Sequence, residues 1–465
     1  MRLRKILYKF CYVLPLALSA TSCLAQADIA QQNTDAQGTG AQNVKTPKDM
    51  MGNPRVKLVP VGGAGWAKSS VNAAIFRTNS VVTHGDTQYV AYYDGDSNVI
   101  LARRKLGTSR WEVKKTPYQG NAKDAHNSIC IAVDGKGVLH MSWDLHNQKL
   151  RYVRGMAPGS LDLSEEMPMT GQKETSVTYP QFYNMPNGDL LFLYREGSSG
   201  NGNAMLNRYD VQTGAWQAVA HPLVAGGGRR NAYLNTLAVD SKGGIHLSWV
   251  WRDTPDVATN HDVCYAYSPD GGKTWQKSTG DKYTLPITFE SAEVAYAVPR
   301  NSELINQTSM TVDARDRPLI VSYWRAQDSE VPQYRLVWHD GQKWQASQVG
   351  NRTLGFRLSG GGTKRIPISR PQVLAGAKNE VYVVFRDEER NNGVSVAISE
   401  DANHATWRVL DLVKEPVGAW EPTYDPAVWK RDSQLHLFLQ NVGQGDAETL
   451  ESVLPQPVSI LEWTP

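Results

Sequence analysis

Seven short runs carry one pattern: Gln88-Tyr-Val-Ala-Tyr-Tyr-Asp94, Val138-Leu-His-Met-Ser-Trp-Asp144, Asp189-Leu-Leu-Phe-Leu-Tyr-Arg195, Gly244-Ile-His-Leu-Ser-Trp-Val-Trp-Arg252, Pro318-Leu-Ile-Val-Ser-Tyr-Trp-Arg325, Glu380-Val-Tyr-Val-Val-Phe-Arg386 and Gln434-Leu-His-Leu-Phe-Leu-Gln440. β-Branched and aromatic residues dominate each run, which predicts a strand. The runs start roughly 50 to 70 residues apart, so the chain repeats a sheet-sized unit. A shorter strand precedes each run and a third follows it, often closing on a tryptophan: Trp111, Trp216, Trp275, Trp344, Trp407 and Trp463, with none in the second unit. In Ser268-Pro-Asp-Gly-Gly-Lys-Thr-Trp275, Asp270 and the glycines suit a tight turn with the Trp packed beneath, a structural feature without chemistry. Radial repetition of such units predicts an all-β, seven-bladed β-propeller, one domain over residues 55–465. Length alone would suggest about three domains. Val56 to Val61 is expected to close the ring against Val458 to Trp463.

Outside the repeat, Arg2, Arg4 and Lys5 precede an apolar stretch from Ile6 to Ala20 and a small-x-small site at Ala25-Gln26-Ala27. This reads as a signal peptide over residues 1–27, followed by a flexible leader, 28–54, rich in Gln, Asn, Thr and Gly. The product is expected to be secreted or periplasmic. Lipoprotein anchoring at Cys23 is the weaker reading, since Leu usually opens such a motif and here it is Ala20. No later segment is apolar enough to span a bilayer, so no integral membrane segment is expected. A net charge of +3, without a basic run beyond the N-terminus, argues against nucleic acid as partner. Cys11 and Cys23 fall in the signal. Cys130 and Cys264 either pair or stay free and buried.

In a propeller, the loops entering the innermost strands and those leaving the second strands meet at one mouth. The first set contains Ala125-His126-Asn127-Ser128, Thr178-Tyr179-Pro180, Ala232-Tyr233-Leu234-Asn235, Ile305-Asn306-Gln307-Thr308, Ser369-Arg370-Pro371 and Thr423-Tyr424-Asp425. The second contains Asp94, His146, Arg195, Arg252, Arg325 and Arg386. His, Tyr, Arg, Asn and Gln converge, with Asp94, Asp144 and Asp425 as the main carboxylates. Arginines and histidines around a funnel suit an acidic polysaccharide bearing carboxylate or sulfate. Most glycoside hydrolases need two carboxylates across the bond. A lyase must instead neutralise a uronate carboxylate, remove the neighbouring proton and protonate the leaving oxygen. Arg, His and Tyr can do all three with no cofactor or catalytic metal.

Several stretches carry a resemblance: Ile75-Phe-Arg-Thr-Asn-Ser-Val-Val-Thr-His84, Asp124-Ala-His-Asn-Ser128, Ser142-Trp-Asp-Leu-His146, Thr178-Tyr-Pro180, Tyr194-Arg-Glu-Gly-Ser-Ser-Gly-Asn-Gly-Asn203, Gln307-Thr-Ser309 and Ser359-Gly-Gly-Gly-Thr-Lys-Arg-Ile-Pro-Ile-Ser-Arg370. Across nearly all of residues 70–445 the chain resembles the BNR-4 type propellers, which include ulvan lyases. The resemblance implies β-elimination of rhamnose-3-sulfate–uronate chains. It implies His126 as base, Tyr179 as acid or as base on the opposite face, Arg195 as carboxylate neutraliser and His146 as assistant. Tyr233, Arg252 and His261 would line the subsites. Which of His126 and Tyr179 is base stays open, as does endo or exo action, which loop insertions decide in this group. Three other readings stand beside it. A sialidase would carry Arg365-Ile-Pro367 near its first strand and a Tyr–Glu pair, and neither is found. A rhamnose-α-1,4-glucuronate lyase or glycosidase would share much of the ring. A non-catalytic glycan-binding propeller would not need His126, Tyr179 and Arg195 together. A structural zinc at His261 and Cys264 is a further expectation, although that spacing in a strand points the side chains to opposite faces. A monomer is expected.

Overall fold

Alternation within the second strands sends side chains to two faces, and both faces are apolar. In Leu190–Ser198, Leu191 and Leu193 join one buried cluster, while Leu190, Phe192 and Tyr194 join another. Pro318–Trp324 behaves alike: Leu319, Val321 and Tyr323 lie on one side, Ile320 and Trp324 on the other. A strand apolar on both faces needs a covering layer on each. Each sheet is therefore sandwiched between its neighbours in the chain.

The computed structural model describes residues 55–465. The expected signal peptide (1–27), leader (28–54) and Cys23 lie outside the described residues. Within them the fold is all-β, with six sheets and one short α-helix, Pro426–Asp432, beside single 3-10 turns. Val81–His84, Thr87–Tyr93, Asn98–Lys105 and Glu112–Gln119 form an antiparallel four-stranded meander. Meanders of the same size run from Ser309 to Val349 and from Gln372 to Val413. A three-stranded sheet holds Cys130–Val133, Leu139–Ser142 and Tyr152–Arg154. The ten-stranded sheet contains two meanders, one from Val177 and one from Asn231, joined by the single parallel pair Gly202–Asn231. No helix among the described residues is long and apolar enough to cross a membrane.

The last sheet closes the chain on itself as expected. Val56–Gly65 pairs antiparallel with Gln456–Trp463, Val56 opposite Trp463 and Val59 opposite Ile460. Trp463 and Ile460 are buried in the cluster shared with the first and sixth units. The Ser268–Trp275 turn is structural: Asp270 accepts from the Thr274 N–H, and the buried Trp275 indole donates to the Gly272 carbonyl at 2.9 Å. Cys130 and Cys264 are both free and buried.

If closure by this strand pair stabilises the whole ring, Ile460→Ala is expected to cost about 2–5 kcal/mol. Leu450→Ala, at a residue 37% exposed, is expected to stay within about 0.5 kcal/mol. Denaturant midpoints of the two variants measure the difference, and equal midpoints would rule out a closing role.

Candidate active site

A cavity of about 240 Å³ opens where the inner strands begin, lined by His126, His146, Tyr179, Arg195, Tyr233 and Arg252 among others. Wider hollows of about 530 and 650 Å³ lie beside the first unit and contain no histidine. Local sequence places each group. Asp124 caps the single turn Ala125–Asn127 by accepting from the His126 N–H at 2.9 Å, which turns the imidazole inward. Tyr179 sits in Val177–Asn184 where the register against the next strand shifts between Thr178 and Gln181, and its φ is +58°. Arg195 lies opposite Thr178 in that pair and donates from Nη2 to the Thr178 hydroxyl at 2.9 Å.

One carboxylate binds two imidazoles. Asp124 Oδ1 meets His126 Nδ1 at 2.7 Å, and its Oδ2 meets His146 Nδ1 at 2.6 Å. The two rings stack 3.9 Å apart and 14° from parallel. Glu448 approaches His126 Nδ1 at 3.2 Å. Burial opposes a charged His126, but bonds and charges from Asp124 and Glu448 outweigh it and raise its pKa to about 9. Burial likewise opposes an ionised Asp124, yet its two histidines hold the carboxyl well below the usual range. Buried as it is, His126 is held toward its imidazolium form by these two carboxylates.

The other half of the cavity is arginine on tyrosine. The Arg252 guanidinium carbon lies 4.1 Å from the Tyr233 ring centroid, and Nη1 reaches the hydroxyl at 3.2 Å. Ser199 bonds the same hydroxyl at 2.7 Å. Burial would raise the Tyr233 phenol, but the Arg252 and Arg195 charges overcome it and bring the pKa down to about 8. Tyr179 moves the opposite way, raised by burial and by Tyr233. Its ring stands 5.5 Å from His126, 6.2 Å from Tyr233 and 5.0 Å from the Arg195 guanidinium carbon. Arg195 Nε is buried with no partner.

So the structure brings His126, His146, Tyr179, Arg195, Tyr233 and Arg252 into one cavity. His261 does not line it. Its ring bonds Asp262 at 2.9 Å, with Arg300 at 3.3 Å. Cys264 packs in a core cluster with Trp249 and Trp251. Among the described residues the three-ligand group is Asp124, His126 and His146, ligand atoms within 4.8 Å of one another, and it includes neither His261 nor Cys264. One carboxylate and two imidazoles suit zinc chemically. Arg325 and Arg386 also serve elsewhere: Arg325 pairs with Glu303, and Arg386 donates to three backbone carbonyls and to Asn392.

Sequence reading missed Asp124 and Glu448. Asp124 was visible as a helix-capping residue two positions before His126. Glu448 arrives from 322 positions beyond His126, and no spacing rule announces it. Phe76, Thr363 and Arg370 also line the cavity, with Arg370 held by Glu421 at 3.0 Å.

A family model described as a BNR repeat-containing family member matches residues 87–352. The ulvan lyase, long isoform, of Pseudoalteromonas sp. (strain PLSV) is 24% identical over 327 residues, covering 56% of this chain and 33% of that protein. The short isoform of Alteromonas sp. (strain LOR) is 24% identical over 347 residues, covering 56% and 64%. The chain thus spans a third of the long relative and less than two thirds of the short one. The crystal structure of polysaccharide lyase Uly1 has a TM-score of 0.62 at 15% identity, covering 89% of this chain and 98% of its own. A PL25 ulvan lyase bound to -[GlcA(1-4)Rha3S]- gives a TM-score of 0.62 at 14% identity, covering 85% and 98%. At these identities the likeness is one of fold.

The shared carboxylate makes a pH prediction. A pKa raised from 6.5 to about 9 on folding means that His126 stabilises the fold fully below pH 6.5 and loses that contribution as pH rises through about 9. In Asp124→Asn the His126 midpoint, followed by NMR of its ring proton, is expected to fall toward about 6.5. An unchanged midpoint would separate the raised pKa from Asp124.

Proposed function

Because the chain belongs to the BNR repeat-containing family, we propose that it is a seven-bladed propeller and a polysaccharide lyase. It acts outside the cytoplasm, as a monomer, on a uronate-containing and sulfated polymer of the ulvan kind. Dividing the ten-stranded sheet at Gly202–Asn231 turns six sheets into seven blades. Hydrophobic clusters between successive units support that count.

One observation carries the reaction: arginines Arg195 and Arg252 lie over two tyrosines whose proton affinities they and burial drive apart, beside a cationic histidine. Paired groups with separated pKa values mark an acid and a base. Arg195, which lines the cavity, binds the uronate carboxylate and holds the enolate-like charge of the transition state. The Tyr233 phenolate takes the C5 proton, the C4–O bond breaks, and Tyr179 gives its proton to the leaving oxygen. The products are a new chain end and a 4,5-unsaturated uronate, with no water consumed. The resemblance implies His126 as base, with Tyr179 as the alternative. Protonated up to about 9, His126 serves better as a fixed positive charge on the substrate carboxylate. The nearest carboxylates, Asp124, Glu448 and Glu421, are all bonded to His126, His146 or Arg370, which argues against the two free acids of a glycosidase.

Incubation with ulvan, following absorbance of the new double bond, tests the reading. Saturated products would point to a hydrolase. Tyr233→Phe is expected to lower kcat about 10²–10⁴-fold. In the wild type kcat/KM is expected to rise with pH through about 8, as the phenol loses its proton, and Tyr233→Phe should abolish that limb. A limb that persists in the variant assigns it to another group. Zinc taken up by Asp124, His126 and His146 is expected to inhibit, because it would take the place of the His126 proton and pull both imidazoles onto the metal. Initial rates against added zinc, with reversal by chelator, measure this.

A further inference from the structure

We infer that Gly360–Lys364 forms a fixed strap across one side of the cavity, so that the site receives the end of a polysaccharide chain and not its middle. The inference rests on the lyase reading above. At one side the Gly360 N–H donates to Asp256 at 2.6 Å and the Gly360 carbonyl accepts from the Val257 N–H at 3.0 Å. At the other the Thr363 N–H donates to Glu448 at 2.6 Å, the Thr363 carbonyl accepts from the Ala447 N–H at 2.9 Å, and Lys364 pairs with Asp446 at 2.7 Å. Asp256 belongs to the loop leaving the fourth unit's second strand, and Asp446 to the loop before the final strand. The strap therefore joins two well-separated parts of the repeat.

Between its ties it lies on the chemistry. Thr363 is buried, and its hydroxyl sits 3.4 Å from His126 Nδ1. Gly361, Gly362, Thr363 and Lys364 all line the cavity. The approach is close enough to demand glycine: Gly362 has φ +73°, and a Cβ there would lie 3.0 Å from the Ala447 Cα. Ala447 and Glu448 themselves hold positive φ, +51° and +67°, which ordinary residues adopt only when tertiary contacts compel it. A polymer cut in its middle needs a path on both sides of the reacting sugar. Here one side of the cavity is lined by backbone that is bonded at both its ends. The cavity, about 240 Å³, is smaller than the roughly 300–1,000 Å³ of sites that enclose a drug-sized ligand. Such a space suits a terminal sugar unit better than a groove for many.

The experiment follows mean chain length of ulvan by size-exclusion with light scattering against absorbance of new double bonds. The wild-type enzyme is expected to release short fragments from the first time points while the remaining polymer stays long. In Asp256→Ala/Asp446→Ala, which removes one side-chain tie at each side without replacing a cavity-lining residue, products are expected to shift toward mid-length chains at equal absorbance. A wild-type enzyme that shortens the polymer early, or a folded double variant with the wild-type profile, overturns the strap's role and leaves the lyase reading intact. No unsaturated product from any uronate polymer overturns both.

Discussion

A strand that is apolar on both faces cannot end a stack, and the rest of this molecule follows from that constraint. Leu190 to Tyr194 split their side chains between two core clusters, and strands of the fourth, fifth and sixth units do the same. Each sheet then requires a neighbour on either side. A linear stack would leave two outer faces wet, with an apolar surface too large for a monomer to leave bare. Pairing Val56–Gly65 with Gln456–Trp463 removes the ends. Closing the circle also draws the inner strands together, so that residues from distant units meet at one mouth. The cavity follows from the ring, and side chains as far apart as Phe76 and Arg370 reach it.

Within that mouth, burial and charge set the chemistry against each other. Taking His126 or Tyr233 out of water should favour the neutral form. For each, a built-in partner of opposite charge wins: Asp124 and Glu448 for the imidazole, Arg252 and Arg195 for the phenol. Tyr179, with the same arginines but also Tyr233 beside it, stays protonated. The site therefore holds an imidazolium, a phenol that ionises readily and a phenol that does not, within about one sugar's reach. Positions alone would not separate these roles, because both tyrosines occupy matching places at the starts of their inner strands.

Much of the fold was legible because repetition amplifies a weak signal. No single run such as Gln434-Leu-His-Leu-Phe-Leu-Gln440 identifies a sheet, whereas seven at similar spacing do. The strand starts that brought His126, Tyr179 and Tyr233 together were readable for the same reason. Strand ends were less reliable: Arg195 and Arg252 point into the cavity, while Arg325 and Arg386 are drawn off by Glu303 and by backbone carbonyls. Those partners lie in irregular loops, where sequence pattern carries no register. Glu448 and Thr363 escaped notice likewise, being set against His126 by loop-to-loop bonds and not by strand pairing. His261 and Cys264 illustrate the opposite failure. Two ligand-type residues close in sequence suggested a metal, but one faces Asp262 and Arg300 and the other a tryptophan-lined core.

The backbone at Tyr179 binds these threads together. A non-glycine residue at φ +58° costs about 1–3 kcal/mol and persists only where its surroundings over-determine it. Here they do. The register slip between Thr178 and Gln181 supplies the extra residue that lets the chain bulge. Phe76, His126 and Tyr233 then surround the ring, and the Arg195 guanidinium lies over it. A regular strand would send Tyr179 to one face or the other of its sheet, into the packing between units. The bulge instead places it among the residues that line the cavity. Stability gained by stacking two-faced sheets is thus what permits one strained residue to leave the stack and line the cavity.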